Sequence, residues 1–271
     1  MLSFEFFPPK TEQGQLKLIE TAKELTKLKP HFFSVTYGAG GSTRDGTIDT
    51  VKLIHEITGV NTAPHLACIT ASKEDLVSIL QSYKDLNIQR IVALRGDLPS
   101  GVGQVGEFHY AYQLVELIRE ITAEQFHIEV AGYPECHPQA NDFGHDLDNL
   151  KRKIDAGANS VITQYFYNLD SFFYFRDRAV QAGIKVPIIP GIMPIVNFAK
   201  VTNFSQNCGA EIPRWLTKQI EAYKDDIDAI QTLTLDFVTH LCQKLLEGGV
   251  HGLHFYTLNQ PEMCVAICNH L

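Results

Sequence analysis

Short, apolar, β-branched runs alternate along this chain with longer segments whose apolar residues recur at three- and four-residue spacing. That is the rhythm of repeated βα units built on parallel strands. Eight runs read as strands: residues 2–7, 32–36, 63–68, 90–94, 127–133, 160–164, 187–192 and 252–256. Runs such as VPIIPGI are almost wholly apolar, as strands covered on both faces should be. In the first helical segment Leu18, Ala22, Leu25 and Leu28 form one stripe ahead of Pro30. The third helix starts at Ser72 with Asp75 as its capping partner. The fifth turns Leu147, Leu150 and Ile154 inward and ends at Gly157. Residues 193–248 are too many for one βα unit and should hold two or three helices, including 225–247 and a shorter one around Trp215. The expected fold is a single (β/α)8 TIM barrel, one domain over 1–271, with extra helices before the last strand.

Bulk properties remove several classes of function. A hydrophobic content of 45% with 20% charged residues is ordinary for a globular chain, and no apolar run reaches the roughly 18 residues that span a bilayer. The net charge of −8 provides no global basic field for a nucleic-acid backbone. The start, MLSFEFFPPK, has none of the features of a secretory signal, so the expected location is the cytoplasm. Six cysteines include no CxxC pair, which fits reduced thiols rather than disulfides or a metal site. Cys264 and Cys268 share one helical face and read as packed apolar side chains.

In a parallel barrel the chemistry lies at the carboxyl ends of the strands. Read in order, those ends offer Thr36 with the GAGG run, His65, Arg95-Gly96-Asp97, Tyr133 through His137, Gln164, and Tyr256 through Asn259. Glu5, flanked by Phe4, Phe6 and Phe7, is the most anomalous of all. A carboxylate there must be partnered or protonated, and a neutral carboxyl is what a general acid needs. A structural glutamate salt-bridged to lysine or arginine is the other reading. For LRGDLP the other reading is a solvated turn with an internal Arg95–Asp97 pair, and for His65 a core histidine. Gly38–Thr43 lacks the third glycine of a dinucleotide-binding turn, and neither a P-loop nor HExxH occurs.

FEFFPPK, SVTYGAGGSTRD, APHLACI, IVALRGDLP, AGYPECHP, NLKRKIDAGAN, ITQYFYN, IIPGIMPI and HFYTLN, in this order and spacing, resemble the methylenetetrahydrofolate reductase family. The likeness runs over essentially the whole chain. It implies a flavoprotein of one-carbon metabolism and methionine biosynthesis, which passes hydride from NADH or NADPH through FAD to 5,10-methylenetetrahydrofolate in ping-pong order. FAD is then held at the carboxyl face without a Rossmann domain, by positions matching Thr36, His65, Arg95, Gly96, Asp97, Tyr110, Ala111, Tyr133, His137, Asp146, Asn149 and Lys153. Glu5 matches the family's general acid and Asp97 the carboxylate near flavin and folate. Gln164, Phe204 and Tyr256 match substrate contacts. Lys200 and Gln260 stand at substrate-side positions where relatives carry glutamine and arginine. A homo-oligomer is expected from the resemblance. The chain ends directly after the last barrel helix, so regulation by S-adenosylmethionine through a long carboxyl-terminal region is not expected. The rival readings are a flavin-independent barrel enzyme acting on a phosphorylated metabolite and a non-catalytic folate- or flavin-binding module.

Overall fold

The computed structural model describes residues 1–37, 44–97, 106–224 and 226–271, with the side chains of 44 and 45 excepted. The glycine-rich run 38–43 and the segment 98–105 therefore lie outside the described residues. Eight parallel strands close into a barrel in chain order. They are β1 (Leu2–Phe6), β2 (Phe32–Val35), β3 (Thr62–Ala67), β4 (Arg90–Leu94), β5 (His127–Gly132), β6 (Ser160–Tyr165), β7 (Ile188–Ile192) and β8 (Leu253–Tyr256). All eight expected strands are present, with ends displaced by about one residue, the usual uncertainty of a strand end.

The helices α1 (Glu12–Thr26), α2 (Arg44–Thr58), α3 (Lys73–Asp85), α4 (Ala111–Thr122), α5 (Phe143–Asp155) and α6 (Leu169–Gln181) follow the first six strands in turn. Leu18, Ala22 and Leu25 are buried on α1, whereas Leu28 comes after the helix has ended and is only partly buried. Ser72 caps α3 as expected: its Oγ accepts from Asp75 N at 3.1 Å and donates to the Asp75 carboxylate at 2.8 Å. Three helices separate β7 from β8, namely α7 (Phe198–Cys208), α8 (Arg214–Tyr223) and α9 (Ile227–Glu247). The α9 helix opens with Asp226 accepting from Ala229 N at 3.0 Å, slightly later than its apolar pattern indicates. A short α10 (Glu262–Cys268) closes the chain, with Cys264 buried against the main core. Among the described residues no helix is long and apolar enough to cross a membrane.

Strand alternation divides the buried residues between two clusters. Outward residues such as Phe4, Phe33 and Phe255 pack under the helices, with Phe4 and Phe255 stacked at 5.5 Å between ring centres. Phe32, Ala63, Val92 and Ile162 form a smaller cluster of their own. Glu129, almost wholly buried on β5, is held by Arg90, Ser160 and His127, the last at 3.3 Å. Burial alone would raise the Glu129 pKa, but His127, Arg90 and Ser160 together hold it below the usual carboxylate value.

Because the Glu129 pKa is depressed in the fold, its stabilisation is present above the ordinary carboxylate range and is lost as pH falls through the lowered value. Arg90→Met should cost about 3–5 kcal/mol, the usual cost of stripping one partner from a buried pair. Urea unfolding at neutral pH measures it. A change of under ~1 kcal/mol would mean that the cluster does not stabilise the barrel.

Candidate active site

Phe4 and Phe6 face the helices, so the pleat turns Ser3 and Glu5 to the other side of β1. Closure of the barrel then pairs Ser3 with His254 and Glu5 with Tyr256 across the β1–β8 seam. Glu5 Oε2 lies 3.4 Å from His65 Nε2 and 3.6 Å from His254 Nε2. Both imidazole nitrogens are buried without a hydrogen-bond partner, and His254 Nδ1 is fixed by Ser3 Oγ at 2.8 Å. Burial lowers the His65 pKa, with Glu5 opposing and His254 adding to the shift. Among the described residues the neighbours of Glu5 are thus two histidines, with no lysine or arginine in salt-bridge contact. His254 was not singled out in the sequence, although it sits two residues from Tyr256 and so on the same face of β8.

Two adjoining cavities open at this end of the barrel. The first, of about 320 Å³, gathers residues from two successive βα units: Arg95, Gly96 and Asp97 after β4, Tyr110 and Ala111 at the start of α4, Tyr133 and His137 after β5, and Asp146, Asn149 and Lys153 on α5. The second, of about 370 Å³, is lined by Glu5, Gln164, Phe204 and Tyr256, and shares Asp97, Tyr133, His137 and Gln139 with the first. Phe204 is 43% exposed at the rim of the second cavity, on α7, which is tied to β6 by Tyr165 Oη and Ser205 Oγ at 3.0 Å. The Tyr256 hydroxyl is engaged by the Thr163 carbonyl at 2.7 Å.

Four of the expected positions line neither cavity. Thr36 follows β2, its backbone N–H bonded to Phe6 O at 2.9 Å, and His65 lies deeper, beside Glu5. Lys200 is exposed in the first turn of α7, its N–H capped by Asn197. Gln260 follows a turn in which Leu258 and Asn259 both take positive φ. The Asn259 side chain pins that turn to Phe7 by two bonds, at 3.1 and 2.9 Å.

The first cavity carries Lys153 and Arg95 beside Asp146 and Asp97, and has unmet hydrogen-bonding capacity. Lys153 Nζ reaches the Ala131 carbonyl at 2.5 Å, and burial lowers its pKa to about 8, with Asp146 opposing. Arg95 turns away from Asp97 and donates to Gln139 Oε1 at 2.5 Å. The Asp146 carboxylate accepts from His137 N at 2.9 Å, and His137 Nδ1 accepts from Gln139 N at 3.0 Å, which leaves the imidazole proton on Nε2 when the ring is neutral. Asn149 Oδ1 and His145 Nδ1 are buried with no partner. At Gly96, φ is +85° and a Cβ would stand 2.9 Å from that of Ala67, so a side chain is excluded and the backbone stays open to the cavity. Burial also pushes the Tyr133 phenol up to about 12, so it remains a hydroxyl donor.

The family model for methylenetetrahydrofolate reductase matches residues 1–271. The chain belongs to the methylenetetrahydrofolate reductase family. It is 45% identical over 270 residues to the 5,10-methylenetetrahydrofolate reductase of Salmonella typhimurium, covering 100% of this chain and 90% of that one. Identity to the Escherichia coli protein of the same name is 44% with the same coverage. A solved structure from Clostridium thermocellum, of an uncharacterized protein that binds two copies of 5-methyl-5,6,7,8-tetrahydrofolic acid, superposes with a TM-score of 0.69 over 100% of this chain and 93% of its own. At 16% identity that neighbour shows the fold alone.

The lowered Lys153 pKa means that the unfolded chain holds more protons than the folded one between about pH 8 and its ordinary value of 10.5. Stability of the ligand-free protein should therefore rise across that window. Lys153→Met should remove the rise and stabilise the ligand-free protein at pH 7, both read from denaturant melts as a function of pH.

Proposed function

We propose that the protein reduces 5,10-methylenetetrahydrofolate to 5-methyltetrahydrofolate, with NADH or NADPH as donor and FAD as cofactor, in ping-pong order. The observation that carries this is that the two cavities adjoin: a cleft with partly buried cations and unsatisfied polar atoms shares Asp97 and Tyr133 with a chamber lined by Glu5. Family membership supports the folate half of the reading.

The residues of the first cavity fit FAD. Unpartnered Asn149 Oδ1 and His145 Nδ1 call for a polar ligand, and Lys153 with Arg95 for an anionic one. Lys153, Arg95 and His137 would hold its diphosphate, Asp146 and Asn149 its hydroxyl groups, and Gly96 with Asp97 the edge of its ring. Thr36, His65, Tyr110 and Ala111 complete the set that the resemblance assigns to it. When bound, FAD supplies the hydride relay between nicotinamide and folate.

The chain's own groups do the rest. Glu5, in the lining of the second cavity, donates a proton to N10 of the folate and opens its five-membered ring to a 5-iminium cation, the form that accepts hydride. His65 and His254, within 3.6 Å, are placed to exchange that proton with it. The Asp97 carboxylate stabilises the cation as it forms. Gln164 holds the pterin and Phe204 covers it. One chamber of about 370 Å³ serves nicotinamide and folate in turn, which is why the order is ping-pong.

The direct test is anaerobic reduction of the purified, FAD-loaded protein by NADH, followed by addition of 5,10-methylenetetrahydrofolate and identification of the product. Glu5→Gln should leave flavin reduction by NADH within about threefold of wild type and slow folate reduction by roughly 10²–10⁴, the usual contribution of a general acid. Equal losses in both halves by stopped flow would exclude the acid role. For the cofactor, Lys153→Met should weaken FAD binding by about tenfold, the effect of losing one charge-assisted hydrogen bond. FAD affinity of the wild type should fall as pH rises past about 8, where Lys153 loses its proton. Fluorescence titration of the apoprotein with FAD across pH 7–10 reads both, and a flat profile would remove Lys153 from the cofactor site.

A further inference from the structure

Strands β6 and β7 are out of step by one residue. Ile162 pairs with Ile189, but the next pair is Tyr165 with Gly191, so three residues on β6 oppose two on β7. A bulge of this kind re-aims the side chains around it and needs local contacts to hold it. Here the contacts come from three strands. Gly191 N–H donates to Thr163 Oγ1 at 3.0 Å. The Tyr256 hydroxyl crosses from β8, over β7, and donates to the Thr163 carbonyl at 2.7 Å. Within β6, Tyr165 N–H donates to Gln164 Oε1 at 3.0 Å.

The crossing depends on glycine at position 191. A Cβ there would lie 2.1 Å from the Thr163 carbonyl oxygen and 2.7 Å from the Tyr256 ring, so no side chain fits between β6 and the phenol. The bond inside β6 matters for a different reason. A backbone N–H can only donate, so its partner on Gln164 must be the oxygen, and the orientation of the carboxamide is settled. Nε2, with its two donors and no partner among the described residues, is the end left for the cavity that Gln164 lines with Glu5 and Phe204.

We propose that Tyr256 and Gly191 are positioning residues: they clamp the β6 bulge so that Gln164 presents its amide N–H groups, and this wall of the cavity selects a ligand with an acceptor, a carbonyl oxygen or an imine-type ring nitrogen, at that point. The inference rests on the second cavity being the folate chamber. Tyr256 then has no direct role toward the reacting atoms, because its hydroxyl is committed to Thr163. Burial, with Glu5 adding to it, keeps that phenol protonated far above neutral pH, so the clamp does not loosen in the working range.

The test uses the FAD-loaded protein and compares wild type, Tyr256→Phe, Gln164→Leu and Gln164→Glu with 5,10-methylenetetrahydrofolate. Tyr256→Phe keeps the ring and removes only the clamp. It should raise KM for the folate by about five- to tenfold, the effect of one hydrogen bond, and by clearly more than it changes either kcat or flavin reduction by NADH. At pH 7 Gln164→Glu should be worse than Gln164→Leu, since a carboxylate oxygen would face the ligand's acceptor. Relative to wild type at each pH, Gln164→Glu should recover as its carboxyl is protonated toward pH 5 and regains a donor; Gln164→Leu should not. An unchanged folate KM in Tyr256→Phe, a parallel loss in both half-reactions, or Gln164→Glu as active as wild type at pH 7 would each overturn the clamp. Failure of the wild type itself to reduce the folate would overturn the underlying reading of the chamber instead.

Discussion

The pairing of β1 with β8 is the contact on which the candidate site depends. It closes the sheet, and its register brings Glu5 beside Tyr256 and Ser3 beside His254, residues some 250 positions apart in the chain. A slip of one residue would exchange every inward side chain of β1 for an outward one, placing Phe4 or Phe6 in the chamber and the Glu5 carboxylate among the helices. The aromatic contacts of Phe4 with Phe33 and Phe255 oppose that slip, because they bury the outward face of the seam. The apolar residues around Glu5 therefore act on the site indirectly: they fix the direction in which a polar side chain must point.

The barrel-strand carboxylates Glu129, buried, and Glu5, partly buried, differ in how completely their surroundings satisfy them. Glu129 is enclosed by Arg90, His127 and Ser160, a network with its bonding capacity met, of the kind that holds a core in one arrangement. Glu5 stands near two imidazoles whose facing nitrogens have no hydrogen bond, at distances beyond a good one. Asn149 Oδ1 and His145 Nδ1 add further buried polar atoms without partners at the first cavity. Unmet polar groups inside a fold cost free energy, and Asn149 Oδ1 and His145 Nδ1 place two of them at the wall of one cavity. Burial likewise disfavours the Lys153 ammonium, with Asp146 opposing.

Much of this was legible in one dimension. The alternation of short apolar runs with amphipathic helices specifies parallel strands and their order, because each pattern has its own period and the connections allow only a narrow set of topologies. The oddity of Glu5 among phenylalanines was visible too, as was the crowding of polar residues at strand ends. What the strand and helix patterns did not show is which of the expected positions line the cavities: Thr36, His65, Lys200 and Gln260 line neither. A shift of one residue on a strand or one turn on a helix is enough to separate lining from neighbouring positions, and composition does not encode it.

The sequence by itself determined the barrel, its strand order, the extra helices before β8 and the face on which chemistry is to be sought, since these follow from local periodicity and chain length. Only the tertiary structure decided what Glu5 touches, that His254 joins it, and that Tyr256 is bound to Thr163 over Gly191. Those contacts join residues from different strands, and they depend on the register of closure and on a bulge between β6 and β7. No pattern within a single segment carries that information, because register is a relation between segments.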